Sequence, residues 1–301
     1  MFFICAFKIK KYEHFNNSMM KVTRTVLFAF ALLFSSAALQ AQDLPLPSPK
    51  AEVKQNVGLT EISVVYHRPG VKDRKIFGDL IPFDKIWRTG ANKATAVSFN
   101  TPVNIAGNEI PAGTYSLFTI PGKKEWKVIL NSETELWGTG NYEEAKNVVE
   151  ISVKPGKTDH VESFLIWFDA VESGKTHMKM AWERTVITVP IEVDYLEPAV
   201  ANIDKEIEKT SSTFRLYNNA ASFYLDNNLD AAKALEYAKL SVENEKRFWN
   251  IKTLSEAYAA NGKFDKAVET AEESLRLSQE ANYDPYVKMN QENIAKWKKE
   301  L

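Results

Sequence analysis

Cysteine is the scarcest residue of this 301-residue chain, and Cys5 stands alone. It lies in an N-terminal stretch expected to be removed, which would leave the mature protein with none. That excludes disulfides, thiol catalysis, cysteine-ligated metal and lipid attachment at a cysteine. Histidine is nearly as sparse. His67, His160 and His177 fall in separate strand-like runs without metal-ligand spacing, so no metal and no cofactor is expected. No phosphate loop, dinucleotide fingerprint, nucleophile elbow or HExxH helix is present. Strong net charge is absent as well: the formal value is -1. Residues 1–41 hold five basic residues and one acid, so beyond them 33 basic residues face 38 acidic ones. Such a balance favours solubility and argues against a nucleic-acid partner.

A long apolar run is missing too. The longest, TVLFAFALLFSSAAL, has an apolar stretch of about 14 residues, short of the ~20 that a membrane-spanning helix needs. Preceded by Met20-Lys21-Val22-Thr23-Arg24 and followed by small residues up to Ala41, it reads as a secretory signal. Cleavage is expected near Ala41 and translation to start at Met19 or Met20. The destination expected is periplasmic or secreted, with no permanent membrane span. Export of a cysteine-free chain suits a bacterial envelope protein with a sizeable apolar core.

What is present divides the chain. Residues 42–50 include DLPLPSP, an extended linker with three prolines. From 51 to 194 about ten short alternating runs are separated by turns such as Ala106-Gly107-Asn108 and Pro121-Gly122. This pattern indicates an all-β antiparallel sandwich or partly open barrel. Thr176–Glu183 and Thr185–Val193 read as two strands, and FLIWF at 164–168, apolar on both faces, as a central one or one covered by the helical part.

From 199 to 301 apolar residues recur at helical spacing. Ala220 to Ser241 and Ser255 to Leu275 look alike, with Tyr224 and Tyr258 34 residues apart. The second copy resembles a tetratricopeptide repeat at Leu254, Tyr258, Gly262, Phe264 and Ala267. The first departs from it, with Asn228 in place of the glycine. Asp284-Pro285 is expected to cap and open a last helix. The fold class is therefore a β domain followed by an all-α, tetratricopeptide-like domain able to dock a protein partner.

The segment Tyr66–Thr95 is too long for a hairpin and carries seven Lys or Arg against three Asp between His67 and Lys93. Guanidinium groups grip carboxylate or phosphate bidentately, so Arg68, Arg74 and Arg88 are ligand-binding candidates. Asn92 adds a directional amide, and Tyr66 and Trp87 add stacking surface. Trp137 and Tyr142 come from a glycine-bearing loop and could complete the site. The blander expectation pairs Arg68 and Arg88 with Asp73, Asp79 or Asp84 and uses Phe77, Ile81 and Phe83 to plug the sandwich.

The succession SPKAEVKQNVG, VVYHRPGVKDRKIFGDLIPFDKIWRTGAN, IPAGTYSLFTIPG, EWKVILN and WG resembles an exported bacterial family known as domain of unknown function 2911. The likeness runs from Leu46 to Val193. It implies an all-β exported domain and carries no activity or catalytic residues. From the chemistry of the loop, the expected function is a non-enzymatic binding or assembly protein whose β domain presents the Arg/Trp loop to an anionic, polar or sugar-like ligand. One alternative is an envelope glycan or ester hydrolase using loop carboxylates such as Asp84 and Glu143. The other is a purely structural scaffold.

Overall fold

The structure, a computed structural model, describes residues 45–209 and 213–301. The expected leader, its start and its cleavage site lie outside the described residues.

Among the described residues ten strands come first: β1 (Lys50–Val57), β2 (Thr60–His67), β3 (Thr95–Phe99), β4 (Val103–Ile105), β5 (Asn108–Ile110), β6 (Gly113–Ile120), β7 (Trp126–Asn131), β8 (Asn147–Val153), β9 (Gly156–Asp169) and β10 (Lys175–Glu192). They form two antiparallel sheets, one ordered β1-β2-β3-β6-β7-β8 and the other β5-β4-β10-β9. Alternation explains how the sheets pack. Ile62, Val64 and Tyr66 of β2, Val97 and Phe99 of β3, and Leu117 of β6 face Phe164, Ile166, Met178 and Met180 of the second sheet. Two expectations are corrected here. Residues 175–192 are one long strand, because Glu183 takes a left-handed φ of 56° and absorbs the register shift as a bulge. The FLIWF run lies in an edge strand, β9, and not in a central one.

The first sheet also carries a small apolar cluster on its outer face. Ala94, Phe118, Ile129 and Leu136 are buried there, with Ile86, Ile120 and Tyr142 packed against them. β6 is therefore apolar on both faces, which breaks the period-two pattern expected of a half-solvated sheet.

Six helices follow among the described residues: α1 (Leu196–Lys209), α2 (Phe214–Asp226), α3 (Ala231–Asn244), α4 (Phe248–Ala260), α5 (Phe264–Glu280) and α6 (Asp284–Trp297). The pairs α2/α3 and α4/α5 repeat several of the same bonds. Ser241 and Ser274 hydroxyls donate to the carbonyls of Phe214 and Phe248, each at 2.6 Å. Asn227 and Asn261 amides cap Phe223 and Ala257 at 2.9 and 2.8 Å. Asn228 and Gly262 both adopt positive φ, 52° and 69°, so the asparagine of the first copy does the turn's work in the glycine's place. Ala234, Ala238, Ala267 and Ala271 are wholly buried, and their small side chains let the helices approach closely. In α6, Asp284 and Pro285 are its first two residues and Tyr283 is the N-cap.

Tyr195 joins the two halves. Its ring lies against Gly58 and Gly174 in turns of the β domain, where an added Cβ would come within 3.1 and 3.0 Å of ring atoms. Its hydroxyl donates to Asn227 Oδ1 at the end of α2, at 2.7 Å.

Candidate functional site

The long β2–β3 connection crosses from one sheet to the other and back. Its first part, Arg68 to Val71, runs along the free edge of β9. Phe164 N–H donates to Pro69 O at 2.9 Å and Val71 N–H to Glu162 O at 2.8 Å. Arg68 Nε donates to Phe164 O at 2.9 Å. The Tyr66 hydroxyl accepts from Ile166 N–H at 3.1 Å and donates to Ile166 O at 3.3 Å. Between Glu162 and Ile166 the exposed edge of β9 is thus satisfied by main-chain and side-chain groups of the connection. Arg74 closes the following turn on itself, with Nε on Val71 O at 3.0 Å and a terminal nitrogen on Gly70 O at 2.7 Å.

The middle of the connection plugs the sandwich. Ile76 is fully buried, and Phe77 meets Trp87, Trp126 and Trp182 edge-on at 6.0, 4.8 and 6.3 Å. Trp87 stacks on Trp182 at 5.7 Å and 21°, and its indole N–H donates to Gly90 O. The returning part pairs with the end of β6. Trp87 and Thr119 exchange both main-chain bonds, at 2.7 and 2.9 Å. Thr89 then takes φ 53°, costly for a β-branched residue, while fully buried and bonded to the Thr119 hydroxyl at 3.1 Å.

This placement sorts the residues singled out from the sequence. Tyr66 and Trp87 are 3% and 4% exposed, so they are core residues and not the ligand-stacking surfaces expected of them. Arg68 and Arg74 spend their Nε groups on main-chain carbonyls and pin the connection. No ion pair joins Arg68 or Arg88 to Asp73, Asp79 or Asp84 among the described residues, so the expected pairing is also corrected. Tyr142 packs edge-on against Phe118 at 5.0 Å and bonds to Asn147, and burial pushes its phenol pKa up. Asn92 occupies a left-handed turn at φ 56°. Trp137 is 73% exposed beside Lys93, with which it forms an isolated bridge.

Arg88 is different. It is half-buried, desolvation holds its guanidinium pKa below the usual value, and its Nε is buried without a hydrogen-bond partner. Sequence reasoning missed Ser116, fully buried with an unpartnered Oγ; its one signal was a polar residue inside the apolar run TYSLFTI.

Asp84 and Glu143 are not brought together. Asp84 N–H bonds to Pro121 O before β7, whereas Asn131, at the far end of β7, bonds to Glu143 O. Six strand residues separate these points, roughly 20 Å, against the ~5–9.5 Å between glycosidase carboxylates. Among the described residues no cluster of three or more His, Cys, Asp or Glu side chains could hold a metal. No helix among them is long and apolar enough to cross a membrane.

A concavity lies in the helical half. It has a volume of about 610 Å³ and is lined by α2 (Leu225, Asp226), α4 (Lys252, Glu256, Ala259, Ala260), the start of α5 (Phe264) and α6 (Asn293, Lys296, Trp297), with Glu300 beyond. Lys252 and Glu256 pair at 2.7 Å across one turn, and Asn293 donates to Glu256 at 3.3 Å. The 34-residue offset could have located this face in advance, because Leu225 and Ala259, and Asp226 and Ala260, are equivalent positions.

Fold and sites together define a two-sheet antiparallel domain with a duplicated helical array attached. The family model described as Protein of unknown function (DUF2911) matches residues 48–191, a span that takes in nearly all of the β domain. No curated protein and no solved structure matches the chain.

Proposed function

We propose that this is an exported, non-enzymatic binding or assembly protein whose tetratricopeptide-like helices hold an extended segment of a partner protein in the groove formed by α2, α4 and α6. The observation that carries this reading is the groove itself, in which the first helix of each duplicated pair and the last helix contribute to one concave face. Such a face displays side chains at regular intervals, and repeat proteins use it for extended ligands. Its rim mixes Lys252 and Lys296 with Asp226, Glu256 and Glu300, which suits a polar segment engaging both charge signs. The β domain, with part of the β9 edge covered and its interior filled by aromatics, serves as the rigid mount. Export is supported by the basic and apolar leader, and sequencing the N-terminus of the mature protein tests it directly.

Selection of peptides from a random library against the full mature chain tests the groove. Binders are expected to lose about tenfold or more in affinity, some 1.4 kcal/mol, when Lys252 and Lys296 are both changed to Glu. Binders indifferent to that change would move the docking surface elsewhere.

A further inference from the structure

We infer that Arg88 is the centre of a binding site for a small oxyanion, a carboxylate or phosphate group, on the outer face of the six-stranded sheet. This site is independent of the helical groove. Alternation fixes the direction of its side chain. Trp87 points into the core, whereas Ile86 packs into the outer cluster with Phe118 and Ile129, so Arg88 shares the outer face. The antiparallel Trp87–Thr119 bridge sets Arg88 opposite Phe118. Ser116 lies two residues along β6 on that same face, about 7 Å away along the strand.

The two groups have complementary deficits. Arg88 Nε and Ser116 Oγ are both buried and both lack a hydrogen-bond partner. The other arginines of the β domain do not share this condition. Arg68 and Arg74 bond to carbonyls, and Arg184 is exposed to water. Arg88 is half withdrawn from water, and its buried Nε–H has no acceptor; an arriving oxyanion removes that deficit by accepting a charge-assisted bond from Nε. Ser116, two residues along β6 on the same face, can donate its hydroxyl proton to a second oxygen of a group held between them. The backbone is built to hold Arg88 in place. Trp87 is bonded to Thr119 on both sides, Arg88 O accepts from Thr95 N–H at 3.3 Å, and the strained Thr89 follows. Backbone strain retained beside a candidate ligand group fits a pre-organised site.

Nitrogen-15 spectra of the arginine Nε–H groups test this on the full mature chain, with Arg88→Gln identifying the Arg88 signal. Sodium phosphate and sodium acetate are titrated separately at constant ionic strength, up to about 50 mM, beyond the millimolar range of weak specific binding. The Arg88 signal is expected to shift and saturate with one or both anions, and which one acts distinguishes a tetrahedral from a planar ligand. Ser116→Ala should weaken the response, and Arg184→Gln, at an exposed guanidinium, should leave it unchanged. A signal that stays still, or drifts without saturating, overturns the site, as does an equal loss of the response in Arg184→Gln. Because the wild-type signal is read directly, misfolding of a variant can neither mimic binding nor hide it.

Discussion

The hydroxyl of Tyr66 serves both main-chain groups of Ile166, accepting from its N–H at 3.1 Å and donating to its carbonyl at 3.3 Å. One side chain thus replaces a neighbouring strand at this point of the β9 edge. Tyr66→Phe keeps the ring on Phe164 but strands two buried main-chain groups. The expected loss is about 2–4 kcal/mol, from one to three for each unsatisfied group with partial relaxation. Urea unfolding checks the size, and accelerated hydrogen exchange at Ile166 checks the cause.

How much of this was legible beforehand depends on which physical signal each residue sends. The β-then-α division was readable because its signals are periodic and local: Ile62, Val64 and Tyr66 alternate, and Tyr224 and Tyr258 recur at the repeat interval. The fate of the β2–β3 connection was not readable. Its arginines and aromatics look alike in sequence whether they bind a ligand or a strand edge. The difference lies in Pro69, Val71 and Phe164 being brought together by contacts some 90 residues apart. FLIWF has the sequence of a central strand because both its faces are apolar. The structure satisfies its edge with Tyr66 and Arg68, a non-local arrangement that no window reveals. Ser116 and Arg88 stand out only once burial and bonding partners are known.

The Glu162 carboxylate makes the β9 seal sensitive to acid. Its pKa is held below the usual carboxylate value, first by the Lys72 N–H bonded to it at 3.0 Å, and also by His160. A depressed folded-state value means the stabilisation is fully present above the unfolded pKa of ~4.3 and disappears as pH falls through the lower folded value. The Lys72 amide should therefore exchange faster, relative to its intrinsic rate, below about pH 4 than at pH 6. Glu162→Gln should abolish that dependence; a dependence that survives it would assign the effect to another group.

Tyr195 makes the joint between the halves testable by graded substitution. Tyr195→Phe removes only the bond to Asn227, expected to cost about 1 kcal/mol. Tyr195→Ala also removes the ring from between Gly58 and Gly174. It should speed limited proteolysis in residues 194–198 by about tenfold or more, the equivalent of ~1.4 kcal/mol of local opening. If the cleavage rates of Tyr195→Ala and wild type coincide, other contacts hold the helices to the sheets.

Ser274 carries the second copy of the duplicated helix bond, and it carries a further load that its counterpart shares. Its hydroxyl donates to Phe248 O at 2.6 Å and accepts from Asn290 Nδ2 at 2.9 Å, as Ser241 donates to Phe214 O and accepts from Asn250 at 3.0 Å. The two networks differ at the asparagine. Asn250 has a further bond from its amide to Glu245 O, whereas Asn290 Oδ1 is buried without a partner. Ser274→Ala should therefore destabilise the array by about 1–3 kcal/mol, because it leaves Asn290 with neither end satisfied. Adding Asn290→Leu to Ser274→Ala removes the stranded amide and should recover part of that loss, an interaction of roughly 0.5–3 kcal/mol in a double-mutant cycle. The matching pair Ser241→Ala and Asn250→Leu should show no such recovery, since Asn250 also anchors the start of α4 through Arg247 N–H. Equal recoveries in the two copies would mean that the unpartnered Asn290 oxygen has no energetic consequence.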